Sequence, residues 1–358
     1  MAPMWQREPM RDSVGASVTV KTVAAHSGLS SQTVSRVVRC SGYVSESARA
    51  MVLKSIEAVG YRPSAVGRSL RAARTPMIGL VITDIANPFY ARIHKAVEAT
   101  FRDHGLTVML LNSDDNRAVE RQQLDLLSSY SPSGLLLAPA VESTLTDRDL
   151  AQFGNCVLIS RTLPKLAVPS VVTNELEAAE EATRALIGAG HRRILAVLGP
   201  ASASTTRARE SGYRAAMHVI DQEALICYTD QTTTGTRAAI KAVIHAHPDA
   251  TAAVAFNVSV TEGILAGLQD LGLQCPADLS LVAFTDAGWL ESFQPPITVV
   301  SQPVEAMGEL AAQLVLDLLD GKSVDPGLHI VPSRLLHRSS IVAPRPRTSP
   351  LSAISEKG

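Results

Sequence analysis

Aromatic residues are scarce in this 358-residue chain, at 4%, with two tryptophans. There are four cysteines, Cys40, Cys156, Cys227 and Cys275, lying far apart with no CxxC pair and no histidine at ligand spacing. This argues against a disulfide framework and against a zinc site, and it suits a reducing compartment. No segment approaches the roughly eighteen consecutive apolar residues of a membrane span. The first seventeen residues, MAPMWQREPMRDSVGAS, carry no apolar run of the signal-peptide kind. A cytoplasmic protein is expected. Charged residues are few, at 19%, while hydrophobic residues reach 46%, the composition of Ala/Val/Leu-rich α/β units rather than of a disordered chain. The length calls for two or three such units.

The net charge of −1 conceals an asymmetry. Residues 1–75 hold 11 Lys/Arg against 4 acidic residues, a balance of +7, which leaves 22 against 30, or −8, for the remainder. A basic head on an acidic body points to a nucleic-acid module joined to something else. Within the head, Val18 to Arg39 reads VTVKTVAAHSGLSSQTVSRVVR. Thr19 is placed to cap a first helix with Val23 and Ala24 inward, Gly28 supplies a turn, and Ser30 caps a second helix. On that helix Val34, Val37 and Val38 form the buried stripe, which leaves Ser31, Gln32, Ser35, Arg36 and Arg39 on open faces. In a major groove Gln pairs with adenine and Arg with guanine, while hydroxyls and a helix N-terminus suit phosphates. A third helix is capped by Ser45, turns Ala48, Val52, Ile56 and Val59 inward, and stops at Gly60. Alone, this pattern fits equally a three-helix unit whose polar face is merely solvated.

The runs TVKTVAAHSGLSSQTVSRVV and YVSESARAMVLKSIEAVGYRPSAVGRSLR decide between the two readings. Val18 to Thr75 closely resembles the DNA-binding head and hinge of the LacI/GalR family of bacterial transcription regulators. The resemblance implies that the second helix enters the major groove, with Ser31, Gln32 and Arg36 carrying most of the operator choice. Thr19, Ser30, Thr33, Ser35, Arg39 and Tyr43 complete the implied DNA-contacting set of the head. It further implies that Tyr61 to Arg74, YRPSAVGRSLRAAR, is a hinge helix inserted as a pair into the minor groove, with Leu70 as the apolar wedge. Ser64 and Gly67 stand where the family usually has Asn and Ala. Ser still caps a helix, but Gly in a helix interior costs about 1 kcal/mol relative to Ala, so a hinge that folds only on the operator is expected. The plainer reading of Leu70 is a linker residue.

From Met77 short apolar strands alternate with amphipathic helices, first MIGLVIT, TVMLLN, GLLLAPA and CVLIS, then SVVT, RILAVLG, ICYT, AAVAF and LSLVAF. Two successive series imply two doubly wound parallel sheets, with a ligand cleft at the carboxyl ends of the strands. The body resembles the periplasmic-binding-protein-like core of the same family. Asp84 to Tyr90, DIANPFY, matches the family's cleft loop, so Asp84, Asn87 and Phe89 are implied ligand residues, together with Arg161, Arg207, Arg209 and Asn257. Arg209, in TTRARESGY, matches the ligand-clamping arginine, which suits sugar hydroxyls or a carboxylate. The family's Asn-Asp reads Asn257-Val258, its Gly-Phe-Asp-Asp reads Ala283-Phe284-Thr285-Asp286, and its Asp-Asn reads Thr173-Asn174. Thr285 therefore replaces an aspartate that commonly holds sugar hydroxyls, and the loss of carboxylates around Arg207 and Arg209 leads to an expected electropositive cleft and an acidic effector. Trp289 is placed either to stack on a sugar ring or to pack the lobe. Asn87 and Pro88 fit a plain helix start as well, and Arg207 fits a pair with Glu210.

Expected boundaries are an arm (1–17), a helix-turn-helix domain (18–62), a hinge (63–75), a two-lobed core (76–342) and a disordered tail (343–358). The first lobe spans about 76–161 and 302–330, the second about 162–301 and 331–342. The fold expected is an all-α helix-turn-helix head plus an α/β core of two doubly wound parallel-sheet lobes. Enzyme signatures are missing: no GxGxxG follows the first strand and no GxSxG elbow occurs. Gly321-Lys322-Ser323 follows a helix, with Leu316 where a phosphate loop needs Gly, and reads as a helix end. No catalytic residue, metal or cofactor is expected. The function implied is an effector-responsive repressor of a carbohydrate or sugar-acid operon. Its implied partners are a pseudo-palindromic duplex operator, a sugar, sugar acid or sugar phosphate, and a second copy of the chain, as a homodimer or a dimer of dimers. The alternative is a sugar-metabolising enzyme of kinase type carrying a DNA-binding head, though the strand-end Asp-Gly-Thr signature of such kinases is absent.

Overall fold

Three short helices build the N-terminal unit: α1 (Val20–Ser27), α2 (Ser31–Val38) and α3 (Glu46–Val59). The structure is a computed structural model that describes residues 18–38, 41–61, 74–163 and 165–345. Arg39, Ser64, Gly67 and Leu70 lie outside the described residues, as do the arm, nearly all of the hinge and most of the tail. The expected local signals operate in the head. The Thr19 N–H donates to Thr22 Oγ1 at 3.1 Å, Gly28 takes φ +69° between α1 and α2, and Ser30 Oγ accepts the Thr33 N–H at 3.1 Å. Val23, Val34, Val37 and Val52 form the buried centre, with Val38, Ile56 and Val59 packed around it. The apolar stripe of α2 is thereby consumed, and Ser31, Gln32 and Arg36 are exposed.

The core begins at Arg74 and contains two six-stranded sheets. The first holds β1 (Thr75–Ile82), β2 (Thr107–Asn112), β3 (Pro132–Leu137), β4 (Cys156–Ile159), β5 (Ser170–Thr173) and β11 (Leu328–Val331), in the order β11-β5-β4-β3-β1-β2 and parallel throughout. The second holds β6 (Ile194–Leu198), β7 (Leu225–Tyr228), β8 (Ala252–Ala255), β9 (Ser280–Phe284), β10 (Thr298–Ser301) and β12 (Arg334–Leu336). Its order is β12-β10-β9-β8-β6-β7, and β12 alone runs antiparallel. Apolar clusters cover both faces of each sheet, which is why β6 and β9 are buried at every position rather than at alternate ones.

The helices of the first lobe are α4 (Pro88–Asp103), α5 (Arg117–Ser129), α6 (Asp147–Ala151) and α12 (Val304–Leu319). Those of the second are α7 (Glu175–Gly188), α8 (Ser204–Val219), α9 (Thr233–Ala246), α10 (Val258–Asp270) and α11 (Gly288–Ser292). Gly321, at φ +74°, ends α12 as expected.

One expected boundary is corrected. β5 pairs with β4 in parallel, Leu158 opposite Ser170 and Ile159 opposite Val171, so SVVT closes the first sheet instead of opening the second. The chain crosses after Thr173, not at residue 162, because the loop after Ile159 returns to set β5 beside β4 in the sheet it left, with β11 on its other side. It crosses back between β10 and α12, and again between β11 and β12.

Helices α7 and α8 touch backbone to backbone at Gly212, where an added Cβ would lie 2.0 Å from the Leu176 carbonyl oxygen. Gly212→Ala should therefore destabilise the core by about 1–3 kcal/mol or more through overpacking, read as a lower urea midpoint. An unchanged midpoint would mean that the two helices separate freely.

Candidate functional site

The carboxyl ends of the strands converge on a cavity of about 260 Å³ lined by both lobes. From the first lobe come Thr83, Asp84 and Asn87 after β1, Phe89 and Tyr90 on α4, Asp114 and Asp115 after β2, and Ser160 and Arg161 after β4. From the second come Thr205 and Arg209 on α8, Asp230 to Thr232 after β7, Phe256 and Asn257 after β8, Thr285 after β9 and Gln302 after β10. Backbone strain collects here. Among the described residues eight non-glycine positions have positive φ, and five of them (Asp114, Asp115, Ser160, Gln231 and Thr285) line this cavity. Strained conformations persist where the surroundings over-determine them, commonly at ligand sites.

Seven of the nine expected ligand residues meet at this cavity: Asp84, Asn87, Phe89, Arg161, Arg209, Asn257 and Thr285. Several are held by local turns. Asn87 Oδ1 accepts the Phe89 N–H at 3.0 Å and so does start α4, while Asp84 Oδ1 accepts the Ala86 N–H at 2.9 Å. Asn257 caps α10 through the Ser259 N–H and donates its amide to Gln231 Oε1, both at 2.9 Å. Arg161 is buried and forks onto Asp115, with Nη2 to Oδ2 at 3.0 Å and Nη1 also donating to the Pro139 carbonyl at 3.1 Å. Burial works against its charge, yet Tyr90, Asp115 and Glu120 together hold its pKa above the ordinary value. Burial likewise pushes the Glu120 carboxyl up, against hydrogen bonds from Ser143 Oγ and the Ala140 N–H that pull it down.

Two expected ligand residues are elsewhere. Trp289 packs against the second-lobe core with Phe293, ring centroids 6.3 Å apart, because the turn after Thr285 carries α11 back over the apolar face of its own lobe. Arg207 is exposed; its guanidinium bonds to the Ser202 carbonyl and lines a separate cavity of about 570 Å³ beside Arg161. It does not pair with Glu210, which takes Arg214 and the Tyr228 hydroxyl. Two residues further along α8, on the opposite side of the helix, Arg209 does face the cleft.

The electropositive cleft is also corrected. Arg209 Nε and Nη2 donate to Glu175 at 2.5 and 3.1 Å, and Asp84, Asp114 and Asp230 line the same cavity. Carboxylates lost at Val258 and Thr285 are matched by Asp84, which the first strand-end motif marks, and by Asp114, Asp230 and Glu175, which no motif marks. Glu175, Asp115, Gln231 and Gln302 were missed for that reason. Among the described residues no group of three or more His, Cys, Asp or Glu could hold a metal ion, and no helix is long and apolar enough to cross a membrane.

Comparison with known proteins agrees with both units. Residues 19–64 match the family described as bacterial regulatory proteins, lacI family, and residues 75–337 match periplasmic binding proteins and sugar binding domain of LacI family. The regulator GalR of Salmonella typhimurium (strain LT2) is 31% identical over 334 residues, covering 91% of this chain and 96% of the relative. The ribose operon repressor of Halalkalibacterium halodurans is 28% identical over 322 residues, covering 90% and 96%. Among solved structures, the regulator CelR in complex with cellobiose gives a TM-score of 0.67 at 29% identity, over 90% of this chain and 99% of that one. The lac repressor dimer bound to operator and the anti-inducer ONPF gives 0.80 at 22% identity, over 92% and 100%, a likeness of fold.

Removing Arg161 would strand a partly buried carboxylate and a carbonyl together. Arg161→Ala should cost about 3 kcal/mol of core stability, measured by urea denaturation without ligand, whereas a loss under 1 kcal/mol would show that water replaces the pair at little cost.

Proposed function

The chain belongs to the LacI family of bacterial regulatory proteins, and from that premise we propose that α2 reads operator DNA while the interlobe cleft takes the effector that governs it. The protein is an effector-responsive, sequence-specific DNA-binding repressor, not an enzyme. The observation that carries this reading is the order of the two matches along one chain, a DNA-binding head followed by a sugar-binding core, shared with repressors over 90% of its length. The kinase alternative is dropped on the same ground.

In the head, Gln32 and Arg36 are exposed on α2, Arg36 with its stem beside Gly42 and without an acidic partner among the described residues. We assign base reading to Ser31, Gln32 and Arg36, and phosphate contacts to Thr19, Ser30, Thr33, Ser35 and Tyr43. A pseudo-palindromic operator addressed by a homodimer follows from the one-helix reading head. Its place of work is the cytoplasm, where such DNA lies.

In the core, the strain at the strand ends and the converging polar groups support the cleft as the effector site for a sugar-type metabolite. A coupling of about 1–3 kcal/mol between cleft and head is enough to change operator occupancy 5- to 150-fold or thereabouts.

Selection of random duplexes by the full chain should enrich one two-fold site; enrichment of none overturns the reading. On the enriched site, Gln32→Ala and Arg36→Ala should each cost about 1–3 kcal/mol and relax preference at one position, leaving salt-sensitive nonspecific binding intact. Equal loss on all sequences would place these side chains on phosphates. In a thermal-shift panel of sugars, any stabilising hit should vanish in Arg209→Ala, and a hit that survives would move the effector out of the cleft.

A further inference from the structure

Arg209 enters the cleft from α8 with most of its hydrogen-bonding capacity already committed. Its Nε donates to Glu175 Oε2 at 2.5 Å, its Nη2 to Glu175 Oε1 at 3.1 Å, and its Nη1 to the Phe256 carbonyl at 2.5 Å. The guanidinium carbon lies 5.0 Å from the centroid of the Phe284 ring. Of the five N–H groups of an arginine, two remain, one on each terminal nitrogen. Glu175 does not line the cavity. It is the first residue of α7, 8% exposed, and stands behind Arg209. Its Oε1 also accepts Thr173 Oγ1 at 2.6 Å and the Gln302 amide at 3.1 Å, and Gln302 Oε1 accepts Thr285 Oγ1 at 2.7 Å. This carboxylate is thus satisfied on all sides and fixed in place.

The charge of the site follows from these pairings. Arg161 is balanced by Asp115 and Arg209 by Glu175. Asp84, Asp114 and Asp230 line the same cavity with no cationic partner among the described residues. A ligand carboxylate or phosphate would meet three like charges and no unbalanced cation. Ligand hydroxyls would meet carboxylate acceptors and two oriented N–H donors.

We propose that Glu175 sets the charge preference of the cleft: by balancing Arg209 from behind, it makes the site select an uncharged polyhydroxylated ligand of the sugar type over the matching acid or phosphate. This rests on the cleft being the effector site. Glu175 is a positioning residue, since it acts through Arg209 and touches no ligand itself. Glu175→Gln keeps the size and one acceptor but removes the charge, leaving the guanidinium unbalanced toward the cavity.

The test is calorimetric titration of the full chain with matched sets: ribose, galactose, glucose and cellobiose; ribonate, galactonate and gluconate; ribose 5-phosphate and glucose 6-phosphate. Wild type should bind a neutral member at least about tenfold more tightly than its acid or phosphate counterpart. In Glu175→Gln that ratio should fall by about tenfold or more, while Glu175→Asp, which keeps the charge, should retain the neutral preference. A merely structural role would weaken every ligand together and leave the ratio unchanged, and that result overturns the proposal. So does a wild type that prefers an acid or a phosphate, or that binds no neutral member; the wild-type arm decides even if Glu175→Gln fails to fold. Retention of the enriched operator duplex by the same preparations separates failure of this proposal from failure of the repressor reading.

Discussion

Arg209 is held at once by the Glu175 carboxylate, the Phe256 carbonyl and the Phe284 ring, and the cleft is arranged around that fixed guanidinium. A half-buried guanidinium whose carboxylate partner is itself buried persists only when the two are paired and hydrogen-bonded, so the pair must come from the protein itself when no ligand is present. The pairing then recruits its neighbours. Glu175 needs donors for its remaining lone pairs and finds them in Thr173 and Gln302. Gln302 lies where the chain crosses back into the first lobe, immediately before Pro303 and α12. That helix packs against α4 so closely that a Cβ on Gly308 would sit 3.0 Å from the Ile93 carbonyl oxygen. Helix α4 in turn is capped by Asn87 and carries Phe89 in its first turn, both on the opposite wall of the cavity. The arginine is thus joined to the far side of its own cleft by one crossing segment and two closely packed helices.

Thr285 illustrates what the strand ends give up for this arrangement. A β-branched residue at φ +71° is strained, by an amount on the order of 1–3 kcal/mol. It is kept there by its N–H donating to the Val300 carbonyl at 3.0 Å and its hydroxyl donating to Gln302. Those two bonds span β9 and β10, whose parallel pairing sets Val300 opposite Phe284 and so leaves the next residue to turn out of the sheet. The strain belongs to a side chain that completes the polar chain behind Arg209.

Much of this was legible in the sequence because it depends on local chemistry. Caps at Ser30 and Ser45, the glycine turn at Gly28, and apolar runs too uniform for one-sided sheets all act within a few residues of themselves. The rest is tertiary. Glu175 looks like an ordinary acidic residue in the first turn of a helix, where the helix dipole favours one anyway; its partner lies 34 residues away. Arg207 and Arg209 differ by two positions on one helix, about 200° around its axis, so only one of them can face the cleft, and spacing alone does not say which. Trp289 was ambiguous for a different reason: a large ring near a strand end serves a ligand or a core equally well, and the direction of the turn after Thr285 decides. A buried parallel strand carries no mark of which sheet it joins, so SVVT reads as the opening of the second series although β5 pairs with β4.

The same residue type does opposite work at the two ends of the chain, and the difference lies in what stands behind it. Arg36 is exposed on α2 and has no acidic partner among the described residues, so its full charge and its planar fork are available to phosphate or to a guanine edge. Arg161, buried, and Arg209, half-buried, are paired with carboxylates, which offsets their charge over distances longer than a hydrogen bond while leaving the direction of the remaining N–H groups intact. An unpaired arginine attracts any anion, and in a head with a balance of +7 that long-range attraction assists the search for DNA. In the cleft the same attraction would fill the site with cellular phosphates and carboxylates, whatever their shape. Pairing each cleft arginine in advance removes that liability, and it is on this pairing that the proposed preference for uncharged ligands rests.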